Sequence, residues 1–276
     1  MVAAVLLAAG VAGAAAAGAA TTPVGYDVSF PQCGKQGARY PANASFAIVG
    51  VNGGSASADN PCLGPSHGQT GQLSWAADLP GLPSQPRLSF YVIASDPGPG
   101  GAGWPTRTVL AARCTGDWSH GCAYEYGYLR AVSSLRLARW VAAVDRRNHA
   151  PAADPVAAPW WLDVETGARW ATSRTPQWAS LNIAALAGFV DGLHAEGVPA
   201  DRIGFYSTAY QWRQVTGLDS STTPAYFSTL HPVWLPGART LEQARVACRP
   251  TRSFSGGPVR LTQYASGGFD ADYRCP

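Results

Sequence analysis

Short apolar runs alternate along the chain with longer stretches of mixed polarity, and this alternation predicts strands joined by helices. The clearest helix is predicted over residues 181–196, where Ile183, Leu186, Val190 and Leu193 recur at helical spacing. Further helices are predicted over residues 69–79, 126–147 and 241–248. Strands are predicted over residues 26–29, 46–51, 88–94, 160–164, 203–207, 232–235, 259–264 and 269–273.

The order of these elements predicts an α/β fold. Strands that alternate with helices form a parallel sheet, and a chain of 276 residues fits a closed barrel better than an open sheet. The last three predicted strands are too closely spaced for full helices between all of them. We therefore expect an irregular TIM-like (β/α)5(β)3 barrel, with five β/α units followed by three strands, in a single domain over residues 21–276.

Two acids that lie two residues apart, Asp163 and Glu165, fall at the end of the predicted fourth strand. Residues i and i+2 of a strand point the same way, so the two carboxylates share one face. Repulsion and burial then raise one pKa and leave the other low, which suits an acid that works with a charged partner, and a glycosidase needs such a pair. The alternative is a structural pair that is neutralised by an arginine such as Arg169.

More acids lie at the strand ends where β/α barrels place their chemistry. Asp27 lies in the first predicted strand, and Asp270 and Asp272 lie in the last. If the barrel closes, the first and last strands are neighbours, so Asp27 and Asp270 should reach the mouth that holds Asp163 and Glu165. The choice between Asp270 and Asp272 stays open, because both lie on the same face of their strand.

Several of these motifs resemble, in order and spacing, those of glycoside hydrolase family 25, the lysozymes of the Chalaropsis type. The matching segments are Asp27-Val28-Ser29 followed by Gln32, Asp163-Val164-Glu165, Phe205-Tyr206-Ser207, Trp234-Leu235, and Gln263-Tyr264 followed by Asp270. Together these segments span nearly the whole chain beyond residue 20. The resemblance implies an eight-stranded irregular barrel with five helical crossovers, which agrees with the predicted elements.

The resemblance also implies roles for individual residues. Glu165 would be the general acid, and Asp163 would stabilise the substrate N-acetyl group or the charged transition state. Asp27 and Asp270 would hold the site and tune those pKa values. The reaction would be hydrolysis of the β-1,4 bond between N-acetylmuramic acid and N-acetylglucosamine in cell-wall peptidoglycan. The expected substrate-binding residues are Tyr206, Trp234, Gln263, Tyr264, Asn52 and Asp96.

Two strands depart from the family pattern. The second strand reads Val-Gly-Val-Asn-Gly-Gly over residues 49–54, where the family has a Lys-Ala-Thr-Glu-Gly pattern. The third reads Phe-Tyr-Val-Ile-Ala-Ser-Asp over residues 90–96, where the family has a Tyr-His-Phe-like strand. Two alternatives therefore stand beside a peptidoglycan hydrolase. One is a non-hydrolytic cell-wall carbohydrate-binding protein on the same barrel, and the other is a hydrolase of another extracellular glycan.

Composition narrows the class of partner. A net charge of +3, with no run of Lys or Arg, argues against a nucleic-acid partner. The five histidines are scattered without ligand spacing and no Cys-x-x-Cys occurs, so no metal site is expected. The glycine-rich run over residues 98–103 is not followed by a predicted helix, so no dinucleotide cofactor is expected either. We expect a monomer that binds a glycan.

The amino terminus and the cysteines both indicate export. Residues 1–20 carry no charge and end in small residues, which is typical of a cleaved secretory signal peptide rather than of a membrane anchor. Six cysteines fit three disulfides in an oxidising compartment, so we expect a secreted protein that is extracellular or in the cell wall. Fifteen pairings are possible. The expected pairs are Cys114–Cys122, which are close in sequence, Cys33–Cys62, which follow neighbouring strands, and the remaining Cys248–Cys275.

Overall fold

A computed structural model describes residues 24–34, 37–66, 68–110, 113–148 and 152–276. The predicted signal peptide, residues 1–20, lies outside the described residues. None of the helices in the described ranges combines the length and the apolar character that a membrane span requires.

Eight strands close into a barrel, which confirms the predicted fold class. The strands are β1 Gly25–Val28, β2 Phe46–Gly50, β3 Leu88–Ile93, β4 Trp160–Asp163, β5 Ile203–Tyr206, β6 Val233–Ala238, β7 Val259–Ser266 and β8 Phe269–Arg274. Neighbours from β1 through β7 run parallel, whereas β8 is antiparallel to both β7 and β1 and closes the barrel between them. A tight turn at Gly267 and Gly268, both with positive φ, forces this reversal.

Helices occupy five of the connections between strands in the described chain. They are α1 Gln72–Ala77, α2 His120–Arg147, α3 Trp178–Ala195, α4 Ala209–Thr216, α5 Ala225–Ser228 and α6 Leu241–Ala247, with α4 and α5 in one connection. The number of helical connections agrees with the prediction, but they follow strands β2 to β6 rather than the first five strands. The β1–β2 connection instead holds a two-stranded ribbon, Cys33–Gly34 with Gly37–Ala38, in a segment interrupted by glycine and proline.

Alternate side chains along each strand face two different apolar layers, one inside the barrel and one between the barrel and its helices. Phe46, Ile48, Trp161, Trp234 and Leu261 form a cluster inside the barrel. The larger core lies between the barrel and its helices, and the β4 side chains that alternate with Trp161 belong to it. Because β4 alternates in this way, Asp163 points inward above an apolar and aromatic filling.

Helices α2 and α3 lie against each other through glycines. A Cβ atom on Gly127 would lie 1.9 Å from the carbonyl oxygen of Ala185, and one on Gly188 would lie 2.0 Å from the carbonyl oxygen of Tyr124. A Cβ atom on Gly192 would be 2.7 Å from another α2 carbonyl oxygen. Only glycine allows the two backbones to approach this closely.

Three disulfides fasten the connections to the barrel, and all three expected pairs are confirmed. They join Cys33 to Cys62, Cys114 to Cys122, and Cys248 to Cys275. The last of these ties the end of α6 to the residue that follows β8.

Candidate active site

Asp163 is the last residue of β4 and lies opposite Ile93 of β3 and Tyr206 of β5. Its side chain is buried, with 9% of the residue exposed, and its Oδ1 atom has no hydrogen-bond partner among the described residues. Burial raises the pKa of Asp163 well above its usual range, and the negative charges of Glu165 and Asp27 raise it further. Within the pair, the raised pKa therefore falls on Asp163, the residue that the family resemblance makes the electrostatic partner of the acid.

Asp27 is held by a chain of hydrogen bonds that crosses the barrel. The amide nitrogen of Gln263 donates to Asp27 Oδ2 at 2.8 Å, and the amide oxygen of Gln263 accepts from the Tyr206 hydroxyl at 2.9 Å. Burial raises the pKa of Asp27 to about 8, the charges of Asp270 and Glu165 raise it as well, and the Gln263 hydrogen bond opposes them. Residues of β1, β5 and β7 are thus joined at one end of the barrel.

Glu165 lies just beyond β4 and is partly exposed, so a ligand in the mouth can reach it. Its Oε1 atom accepts a hydrogen bond from Nε2 of Gln211 at 3.2 Å. The Oε1 atom of Gln211 in turn accepts from the backbone N–H of Thr166 at 2.8 Å. Gln211 therefore holds both the carboxylate and the neighbouring backbone in one orientation.

Sequence reasoning missed Gln211 because it missed α4, a helix of eight residues. A signal was present, since Thr208 and Gln211 have the spacing of a capping box. The Thr208 hydroxyl caps the helix by accepting from the backbone N–H of Gln211 at 3.0 Å. The same cap places the Gln211 side chain within reach of Glu165.

Asp270 and Asp272 occupy different depths of the same face. Asp270 lies opposite Asp27 and is exposed at the rim, and partial desolvation raises its pKa. Asp272 is fully buried inside the barrel. Burial raises the pKa of Asp272 well above its usual range, and the charge of Asp27 adds to this. The acid group of the mouth therefore includes Asp272 as an inner member.

Trp234 is buried in the apolar filling of the barrel, and Tyr206 packs against it, level with Asp163. Their ring centroids are 4.4 Å apart, and Trp234 also contacts Trp161 at 6.0 Å. Gln263 joins them through Tyr206. Neither Asp163 nor Glu165 forms an ion pair with Arg169 in the described chain, so the structural alternative of an arginine-neutralised pair does not hold.

Three other residues that were expected to bind substrate are placed differently. Asn52 is buried, and its side-chain amide exchanges two hydrogen bonds with the backbone of Ile93, at 2.9 and 3.3 Å. Asp96 is fully buried in the β3–α2 connection, where this burial raises its pKa to about 7 and neither carboxylate oxygen has a hydrogen-bond partner among the described residues. Tyr264 packs with Ala244 on the outer face of the barrel, away from the acids.

Comparisons with known proteins give limited similarity. No protein-family model matches this chain, and no curated protein does. The chain is similar to the catalytic domain of the endolysin ply40 from bacteriophage P40 of Listeria monocytogenes, with 13% identity, a TM-score of 0.42, and coverage of 94% of this chain and 95% of that one. It is also similar to the modular Cpl-1 endolysin complexed with a peptidoglycan analogue, with 14% identity, a TM-score of 0.46, and coverage of 92% of this chain and 54% of that one. Similarity at this level does not extend to activity.

Proposed function

We propose that this protein is a secreted glycoside hydrolase that cleaves β-1,4 glycosidic bonds of cell-wall peptidoglycan. The observation that carries the proposal is the electrostatic grouping of acids at one barrel mouth. The charge of Glu165 acts on both Asp163 and Asp27, and the charge of Asp270 acts on Asp27. Acids that perturb one another in a cleft are typical of acid–base chemistry. The motif resemblance to family 25 supports the same reaction.

Glu165 is the general acid in this proposal. Unlike Asp163, it is partly exposed, and the side chain of Gln211 orients it by a hydrogen bond to Oε1. It gives its proton to the glycosidic oxygen as the bond to the anomeric carbon breaks, and it recovers a proton from the water that completes hydrolysis. The products are two shorter glycans, one of which carries a new reducing end.

Asp163 stabilises the positive charge that develops on the sugar or on its N-acetyl group. Burial and two neighbouring acids make its ionisation unfavourable. A positive charge on the reacting sugar reverses that balance, so the interaction is stronger in the transition state than in the ground state. Asp27, Asp270 and the Gln263 hydrogen bonds fix this arrangement.

The proposed substrate groove lies over the aromatic residues. Tyr206, which is partly exposed and packs on the buried Trp234, forms its floor, and Gln263 offers amide groups beside it. Asn52 shapes it indirectly, because its buried amide fixes the end of β3 through two hydrogen bonds to the Ile93 backbone. The three disulfides fit an oxidising compartment outside the cytoplasm.

Product analysis with a glycan panel tests the proposal. Purified protein is incubated with peptidoglycan, with N-acetylglucosamine oligomers and with unrelated extracellular glycans, and new reducing ends are measured. We expect release from peptidoglycan, and release only from another glycan would reassign the substrate. Binding to peptidoglycan without any release, and with the same affinity in Glu165→Gln, would show the non-hydrolytic alternative to be the right one.

A further inference from the structure

A cavity lies at the same end of the barrel as the acid group. Its volume is about 290 Å³, near the lower end of the size range of small-molecule sites. Its walls come from the segments that follow β2, β3 and β4, and they include Ser55, Ser95 and Arg169. The wall from β4 starts at Gly167, two residues after Glu165. The cavity therefore borders the segment that carries Glu165.

The cavity combines one cation with hydroxyl groups and an apolar wall. Ser55 and Ser57 are exposed on one side, with their hydroxyl oxygens 3.4 Å apart. Ile93 and Tyr126 line the other side. The only charged side chain in the lining is that of Arg169. This chemistry suits a short aliphatic group that ends in an anion.

The Arg169 side chain is free to receive that anion. It is exposed, and within the described ranges no carboxylate lies within ion-pair distance of it. The nearby Asp96 contacts Arg169 through the backbone alone, because the Asp96 N–H donates to the Arg169 carbonyl oxygen at 2.8 Å. This backbone contact fixes the position of the arginine and leaves its guanidinium unused.

From these observations we propose that the cavity binds a carboxylate-bearing substituent of the glycan, with Arg169 pairing with the carboxylate. This inference rests on the proposed function, since it places the substituent on a sugar held at Glu165. A planar guanidinium matches a carboxylate through two parallel hydrogen bonds. The carboxylate comes either from a lactyl ether on the sugar ring or from a peptide joined to that ether.

Binding measurements in a Glu165→Gln background test this inference without cleavage of the ligand. Three ligands are compared by calorimetry: an N-acetylglucosamine disaccharide, an N-acetylglucosamine–N-acetylmuramic acid disaccharide, and the latter carrying a dipeptide. We expect the acidic ligands to bind about tenfold more tightly than the neutral one. The tighter of the two acidic ligands identifies the source of the carboxylate.

A second substitution, Arg169→Gln, should remove this preference while the affinity for the neutral disaccharide stays unchanged. Arg174→Gln is the matched control, because Arg174 is exposed in the same connection but outside the cavity. Equal affinities for all three ligands, or a preference that survives Arg169→Gln, would overturn the inference. Because no turnover is involved, a failure here is distinguishable from a failure of the proposed hydrolysis.

Discussion

At the contact between α2 and α3, a Cβ atom on Gly188 would lie 2.0 Å from a backbone oxygen, so the two helices leave no space between them. At the barrel mouth, by contrast, Asp163 is buried with an oxygen that has no hydrogen-bond partner in the described chain. The contact between α2 and α3 is closely packed, which stabilises the fold. The mouth contains a buried polar atom without a hydrogen-bond partner, which destabilises the fold. Native proteins retain such groups mainly where chemistry needs them.

The two regions should therefore respond to substitution in opposite ways. Substitutions in the helix contact should lower stability. They should lower activity only because less of the protein is folded. Changes in the mouth should lower activity and leave stability unchanged or higher, because the native mouth is not optimised for stability.

The largest effect on stability is expected from Gly188→Ala. An alanine in a helix normally stabilises by about 1 kcal/mol relative to glycine. Here the added methyl group meets the carbonyl oxygen of Tyr124, so we expect a loss of about 3 kcal/mol in the free energy of unfolding. Urea unfolding measures it, and Gly167→Ala is the control, since a Cβ atom there meets nothing within 4 Å. An unchanged midpoint for Gly188→Ala would contradict the close contact.

Gln211→Ala, in the mouth, should lower turnover and leave stability nearly unchanged. The variant loses the hydrogen bond to Glu165 Oε1, and a bond to a charged group is worth about 1.5–3 kcal/mol. We expect kcat to fall about tenfold, with KM and the unfolding temperature nearly unchanged. Gln214→Ala is the matched control, because Gln214 lies on the same helix and is exposed. Equal loss of turnover in both variants would mean that Gln211 does not position Glu165.

The effect of Asp27→Asn on stability is expected only at alkaline pH. The pKa of Asp27 is about 8 in the folded protein and near 4 when unfolded, so the native state binds the extra proton between these values. The stability that this proton contributes is present in full below about pH 4 and is lost as the pH rises through 8.

Asparagine cannot ionise, so the variant should unfold at a higher temperature than the wild type at pH 9 and show no such gain at pH 4. Thermal unfolding across this pH range measures the difference. A gain of the same size at both pH values would show that ionisation of Asp27 is not its cause.

The strands were predictable because buried strands carry a strong local signal. All eight predicted strands overlap the observed ones, and the acid pair at the end of β4 follows directly from them. The outward direction of the Tyr264 side chain could also have been predicted from the sequence. Gln263 and Tyr264 are consecutive in β7, so only one of them can face the mouth.

Other features depend on long-range geometry that the sequence does not encode locally. Asp270 and Asp272 share a face, and only the pairing of β8 with β1 shows which of them reaches the rim. The role of Gln211 depends on where α4 approaches the β4–α3 connection. The two hydrogen bonds between the Asn52 amide and the Ile93 backbone likewise depend on how the ends of β2 and β3 lie side by side.

The central claim is that Glu165 performs acid catalysis in a mouth whose acids are kept for chemistry. The most direct measurement compares the rate of reducing-end release by Glu165→Gln with that of the wild type on peptidoglycan, together with the unfolding temperature of each. General acid catalysis contributes about 10²- to 10⁴-fold, so we expect a loss of at least about 100-fold with an unfolding temperature that is equal or higher. Release by Glu165→Gln at a rate close to that of the wild type would contradict the account.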